Sequence, residues 1–187
     1  MRVITGTARG RILKELEGME TRPTTGKVKE ALFSIVQFDI EGRRVLDLFA
    51  GTGQLGIESL SRGAAYCTFV DQRRDAAALV RENLKLCRFE ESRWRVVQGE
   101  ALAYLAGCRE KYGLIFLDPP YASDALEQAL GLIAAVDIVA PNGIIVCESP
   151  EEKTLPDLPA PYCKGREYRY GKIRLTVYRR GLEEEKA

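Results

Sequence analysis

From residue 44 to residue 147, short apolar runs alternate with longer segments whose apolar positions recur at helical spacing. The runs are Val45-Leu46-Asp47-Leu48-Phe49, Cys67-Thr68-Phe69-Val70-Asp71, Trp94-Arg95-Val96-Val97, Leu114-Ile115-Phe116-Leu117-Asp118 and Gly143-Ile144-Ile145-Val146-Cys147. Between them, residues 54–62, 73–87, 100–106 and 124–137 read as helices. Leu79, Val80 and Leu84 share a face in the second of these, as do Leu126, Leu130 and Ile133 in the last. Near-continuous apolar strands joined by helices are the pattern of a parallel sheet covered on both faces.

After Pro150 the pattern changes. Pro156, Pro159 and Pro161 mark a loop, and residues 166–170 and 173–178 flank Gly171-Lys172 as an antiparallel hairpin, for seven strands in all. In front of the sheet, residues 1–15 read as a strand pair turning through Gly6-Thr7-Ala8-Arg9-Gly10. Residues 25–37 read as a helix with Val28, Ala31, Leu32, Ile35 and Val36 on one face and Thr24 or Thr25 as its cap. The expectation is one domain over 1–187, with 1–40 as an N-terminal β-hairpin and helix and 41–187 as the core.

Composition narrows the chemistry by exclusion. The chain has no histidine, which removes a Ser-His-Asp triad, a histidine base and every histidine-containing zinc site. Cys67, Cys87, Cys108, Cys147 and Cys163 show no C-x-x-C spacing and read as reduced, mostly buried residues of a cytoplasmic protein, with no metal expected. The first residues are too short and polar for a signal peptide, and no apolar run is long enough to span a membrane. Net charge is only +1, but Arg2, Arg9, Arg11 and Lys14 crowd one end while residues 164–180 hold seven cations against Glu167. Two basic ends could form one phosphate-binding face, or serve as charged strand edges that discourage aggregation.

The first strand leads into Asp47-Leu48-Phe49-Ala50-Gly51-Thr52-Gly53-Gln54-Leu55-Gly56. The glycine spacing alone matches a dinucleotide-binding loop, and Asp71 stands where a ribose-binding acid belongs, so a nicotinamide oxidoreductase is a genuine rival. Asp47 argues against it. A carboxylate beside a pyrophosphate is unfavourable, whereas a ligand carrying an α-ammonium and a sulfonium favours one. The third strand ends in Gln98-Gly99-Glu100-Ala101, which suits an adenine corner or an ordinary first-turn acid.

The fourth strand ends in Asp118-Pro119-Pro120-Tyr121. Two prolines remove two N–H donors and stiffen the chain, leaving the Asp118 carboxylate and the Pro119 carbonyl as acceptors. An –NH₂ group presents two protons to such a pair, and Tyr121 offers a flat face for a base. A base amino nitrogen is a poor nucleophile until acceptors on its protons localise its lone pair, so the tetrad points to methylation of an exocyclic amine. A cytosine-C5 enzyme needs a cysteine here, and none is near. The tetrad does not say which base, so an adenine-N6 enzyme of DNA or RNA and a protein-glutamine N5 enzyme stay as alternatives. They rank lower because DNA adenine enzymes usually carry a sizeable recognition insertion, and the glutamine enzymes begin the tetrad with Asn after a longer helical region.

Together these pieces outline the class I, Rossmann-like methyltransferase fold that uses S-adenosylmethionine. More specifically, the chain resembles the bacterial RsmD family of 16S ribosomal RNA guanine-N2 methyltransferases. The carriers are Ile4-Thr5-Gly6-Thr7-Ala8-Arg9-Gly10-Arg11, Arg22-Pro23-Thr24, Val28-Lys29-Glu30-Ala31-Leu32-Phe33, the glycine loop with Ile57-Glu58-Ser59-Leu60-Ser61-Arg62-Gly63, the tetrad, and Tyr170-Gly171-Lys172. The resemblance implies a cofactor site from Asp47, Phe49, Gly51, Gly53, Asp71, Glu100 and Ala101, and a reacting site from Asp118, Pro119 and Tyr121. It places Arg22 and Thr24 at the site's mouth and Arg9 and Arg11 against RNA, while the basic second end adds Arg169 and Lys172 as candidates for the same face. Its partner is 16S rRNA or an assembling small ribosomal subunit, met by a monomer. Gly26, Arg73 and Glu100 depart from the residues common in that family.

Overall fold

A computed structural model describes residues 1–16, 26–120 and 124–182. Seven strands form one sheet in the order β3-β2-β1-β4-β5-β7-β6. Strands β1 (Arg44–Asp47), β2 (Tyr66–Asp71), β3 (Trp94–Gln98), β4 (Tyr112–Leu117) and β5 (Val139–Pro150) run parallel. The hairpin of β6 (Tyr162–Tyr170) and β7 (Ile173–Arg180) adds antiparallel pairs, β7 lying against β5. This insertion of an antiparallel strand beside the fifth separates the sheet from the six-stranded parallel order of dinucleotide-binding folds. It is the class I methyltransferase arrangement expected from the sequence.

Strand alternation divides the core. Val45, Phe69, Phe116 and Val146 face one layer, where they meet Val28, Leu32 and Phe33 of α1 (Gly26–Ile35), Ile57 and Leu60 of α2 (Gln54–Ser61), and Val80 and Leu84 of α3 (Arg74–Leu86). Leu46, Val70, Ile115 and Ile145 face the other, against Leu105 of α4 (Ala101–Gly107) and Leu126, Leu130 and Ile133 of α5 (Ala125–Val136). Both faces of β4 and of residues 45–47 and 143–149 in β1 and β5 are thereby largely dry, which is why these stretches lack polar alternation.

The N-terminal segment is a strand pair in its hydrogen bonds: Val3 N–H donates to Arg11 O (2.9 Å) and Leu13 N–H to Met1 O (2.8 Å). It docks on α2 and α3 through side chains. Glu58, fully buried, accepts from the backbone N–H groups of Ile4 (2.8 Å) and Thr5 (2.9 Å), from Arg62 Nε (3.0 Å), and pairs with Lys29 Nζ of α1 (3.1 Å). Asn83 accepts from Lys14 N–H and donates to Lys14 O and Thr52 O, so it ties the segment to the glycine loop. Burial lowers the Lys29 pKa, and Glu58 opposes that shift.

Expected boundaries shift in places. The hairpin begins at Tyr162, earlier than the apolar pattern of residues 166–170 suggested, because 163–165 is a polar edge that pairs with β7 without burying much. A short 3₁₀ turn, Glu91–Arg93, precedes β3. The cap expected at Thr24 or Thr25 lies outside the described residues.

Candidate active site

Open α/β sheets bind ligands beyond the carboxyl ends of their strands. Here those ends carry Asp47 on β1, Asp71 on β2, Gln98 on β3 with Gly99-Glu100 after it, Asp118-Pro119-Pro120 after β4 and Glu148-Ser149-Pro150 on β5. The glycine loop bridges the first two. Gly51 (φ 55°) and Gly53 (φ 80°) take left-handed conformations that a side chain disfavours, and a Cβ at Gly51 would meet nothing within 4 Å. The loop therefore has an open face at Gly51. Gly56 serves packing instead, since a Cβ there would fall 2.2 Å from Phe69 Cε1.

Two carboxylates brace this loop. Asp71 Oδ2 accepts from Gly51 N–H (2.8 Å) and its Oδ1 from Arg73 N–H (2.9 Å), while the residue stays half-buried. Asp47, only 2% exposed, accepts from Gly56 N–H at the start of α2 (3.0 Å). Burial pushes the Asp47 carboxyl up to about 7; the Gly56 hydrogen bond works against that shift and Asp71 adds to it. A buried acid held this way gains by meeting a cation. Phe49 is partly buried beside it.

At the third strand, Glu100 is the N-cap of α4, its oxygens accepting from Leu102 N–H (3.1 Å) and Ala103 N–H (2.7 Å). Its side chain thus caps the helix one position ahead of the first turn, and each carboxylate oxygen keeps a second lone pair. Ala101 is buried at the first turn. Arg73, which departs from the acid common in the RsmD family, pairs with Asp75 through Nε (3.0 Å).

At the fourth strand, Asp118 is partly exposed and Pro119 buried; Tyr121 lies outside the described residues, as do Arg22 and Thr24. Burial of the Asp118 carboxyl, then the charges of Glu148 and Asp47, push its pKa well above the ordinary carboxylate range. Sequence reasoning missed Glu148. In Cys147-Glu148-Ser149 it reads as a polar strand end, but it is 5% exposed and follows the Leu117–Cys147 pairing that sets it beside Asp118. A small depression at this edge is lined by Pro119, Pro120, Leu126, Glu148, Ser149 and Lys153, among others.

The two basic ends behave differently. Arg9, Arg11, Arg169 and Lys172 are exposed, although Arg169 pairs with Glu151 (3.3 Å). Arg174 and Arg180 are buried and structural: Arg180 clasps Asp137 at the end of α5 (3.0 Å), and Arg174 meets Glu167 (3.5 Å). Part of the charge that suggested a nucleic-acid face thus belongs to the fold. Val3, Ala8 and Leu13 of the first segment share the core layer on the α1–α3 side of the sheet with Ile173, Leu175 and Val177 of β7.

Among the described residues no helix is long and apolar enough to cross a membrane. A family profile described as conserved hypothetical protein 95 matches residues 1–179. The YlbH protein of Bacillus subtilis (strain 168) is 39% identical over 182 residues, covering 96% of this chain and 99% of that one. The protein named ribosomal RNA small subunit methyltransferase D of Escherichia coli (strain K12) is 34% identical over 185 residues, covering 99% and 92%. The solved structure of yhhF from Escherichia coli superposes with a TM-score of 0.87 at 34% identity, over 98% of this chain and 99% of that one.

Proposed function

The chain belongs to the family described as conserved hypothetical protein 95, the RsmD family that its sequence resembled, and from that premise we propose that it is an S-adenosylmethionine-dependent methyltransferase acting on the N2 amino group of a guanine in small-subunit ribosomal RNA. The observation that carries this reading is the Asp118-Pro119-Pro120 strand end two residues beyond Phe116, which pairs with Asp47 in the neighbouring strand. An acid suited to a cationic ligand and an acceptor suited to an amine thus stand side by side. The likeness to ribosomal RNA small subunit methyltransferase D supports the substrate class.

The residues fit the cofactor. The open Gly51 face admits a ligand against backbone, Asp47 answers its ammonium, Asp71 accepts from its ribose, and Phe49, Gly53, Glu100 and the Ala101 N–H flank its nucleoside. Bound there, the cofactor would supply an electrophilic sulfonium methyl group for the base nitrogen. Asp118 and the Pro119 carbonyl hold the two amine protons and aim the nitrogen lone pair, which is where orientation lowers the barrier. Tyr121 stacks on the base. With its pKa raised, Asp118 is suited to take the proton that the methylated nitrogen sheds. Arg9, Arg11, Arg169 and Lys172 meet RNA phosphates, and the role expected of Arg22 and Thr24 at the mouth falls on residues outside those described. Residues 1–40 act as an extension of the 41–187 core, in a monomer working in the cytoplasm.

Incubation with methyl-labelled S-adenosylmethionine and small ribosomal subunits, followed by digestion to nucleosides, tests this. The label should appear in N2-methylguanosine. Label in N6-methyladenosine, or only in protein, would overturn the guanine reading. A melting shift with NAD and none with S-adenosylmethionine would overturn the cofactor as well.

A further inference from the structure

Resting on the reading of Asp118 as the amine acceptor, we propose that Glu148 selects guanine, its carboxylate accepting the ring N1–H beside the amino group that Asp118 holds. The register makes Asp118 and Glu148 successive neighbours beyond Leu117 and Cys147 at the carboxyl ends of β4 and β5. Glu148 is 5% exposed, and its charge reaches the Asp118 carboxyl. Two carboxyls side by side in a water-poor edge disfavour each other's ionised form, and adjacent hydrogen-bond donors relieve that conflict.

The amino-bearing bases differ in what stands next to the amine. Guanine presents N1–H, a donor, beside its N2 amine. Adenine presents bare N1 beside N6, and cytosine bare N3 beside N4. An ionised carboxylate only accepts, so Glu148 would welcome guanine and face a lone pair in the other two. Discrimination by unpaired polar groups exceeds what shape alone achieves. The tetrad holds an amine and does not say which base carries it; an acid at the end of the next strand supplies that information.

The test uses 2-aminopurine, which keeps the 2-amino group and has an unprotonated N1. Once the methylated position is located, small-subunit RNA carrying guanosine or 2-aminopurine riboside there is compared as substrate. Wild-type protein should prefer guanosine by about a hundredfold or more in kcat/KM, on the scale of sites built to pair a substrate N–H. Glu148→Gln should lose activity on guanosine and narrow that preference at least about tenfold, because its amide can donate to bare N1. Glu148→Asp, which keeps the acceptor, should retain the preference at lower kcat/KM. S-adenosylmethionine affinity should be unchanged in both, which shows that they fold. A guanosine preference equal to wild type in Glu148→Gln would overturn the proposal and leave the methyltransferase reading standing. A wild-type protein that methylates no guanosine would overturn both the proposal and the guanine reading on which it rests.

Discussion

Gly56→Ala sets two opposed effects against each other at a position that joins fold to site. In a helix interior, alanine is preferred over glycine by about 0.8–1.0 kcal/mol. At Gly56 the new methyl would stand 2.2 Å from Phe69 Cε1 and 2.7 Å from Cys67 Sγ, both fully buried. Ordinary carbon contacts lie at about 3.5–4.0 Å, so more than 1 Å must be opened between α2 and β2. Overpacking of that kind costs roughly 1–3 kcal/mol, and the depth of this clash puts it at the upper end. The net is a loss of about 2 kcal/mol, which in a domain of this size lowers Tm by roughly 4–8 °C. Because Gly56 N–H donates to Asp47, the displaced helix should also weaken S-adenosylmethionine binding. Gly131 in α5 is the matched control: exposed, with nothing within 4 Å of a new Cβ. Gly131→Ala should gain about 0.5–1 kcal/mol. Urea unfolding read by circular dichroism gives both values, and the double variant Gly56→Ala/Phe69→Leu should recover part of the loss by removing the struck ring atoms. If Gly56→Ala and Gly131→Ala shift the midpoint alike, close packing at α2 and β2 is not what this glycine provides.

Glu58→Gln leaves Lys29 buried without its charged partner and should cost about 3–5 kcal/mol, with amide exchange at Val3 and Leu13 accelerated most; slow exchange there would contradict its role as anchor. Asp47 has its folded pKa raised to about 7, so the stability it contributes is full below about pH 4, the unfolded value, and is lost as pH rises through 7. Asp47→Asn should therefore gain on wild type as pH goes from 5 to 8, and a constant difference across that range would refute this. Removing Arg9, Arg11 or Lys172 should each lower the salt slope of RNA binding by up to about 0.7–0.9, with Arg169→Ala doing less because of Glu151; an unaltered slope in the combined variant would exclude this face.

The sheet was legible because its central strands are dry on both faces, and a run such as Leu114-Ile115-Phe116-Leu117 has few alternatives. The glycine loop and the tetrad were legible because unusual backbone needs unusual residues. Glu148 was not, since a glutamate at a strand end looks like a solvated one until the register sets it against Asp118. Glu58 escaped as a structural anchor for the same reason: its donors, Ile4 N–H and Lys29, are distant in sequence. The basic ends misled in part, because Arg174 and Arg180 are counter-ions to Glu167 and Asp137, and charge counted along a chain does not reveal which cations the fold itself consumes.

The central claim is that the Asp118 carboxylate holds the reacting amine. Asp118→Asn keeps the shape and one accepting oxygen but removes the charge and the proton acceptor. Turnover on small ribosomal subunits, measured at saturating S-adenosylmethionine, should fall at least about tenfold, roughly 1.4 kcal/mol in the barrier, with cofactor affinity unchanged. Full turnover in this variant would mean that the tetrad is only a stiff turn, and the reacting site would have to be sought elsewhere along the sheet's edge.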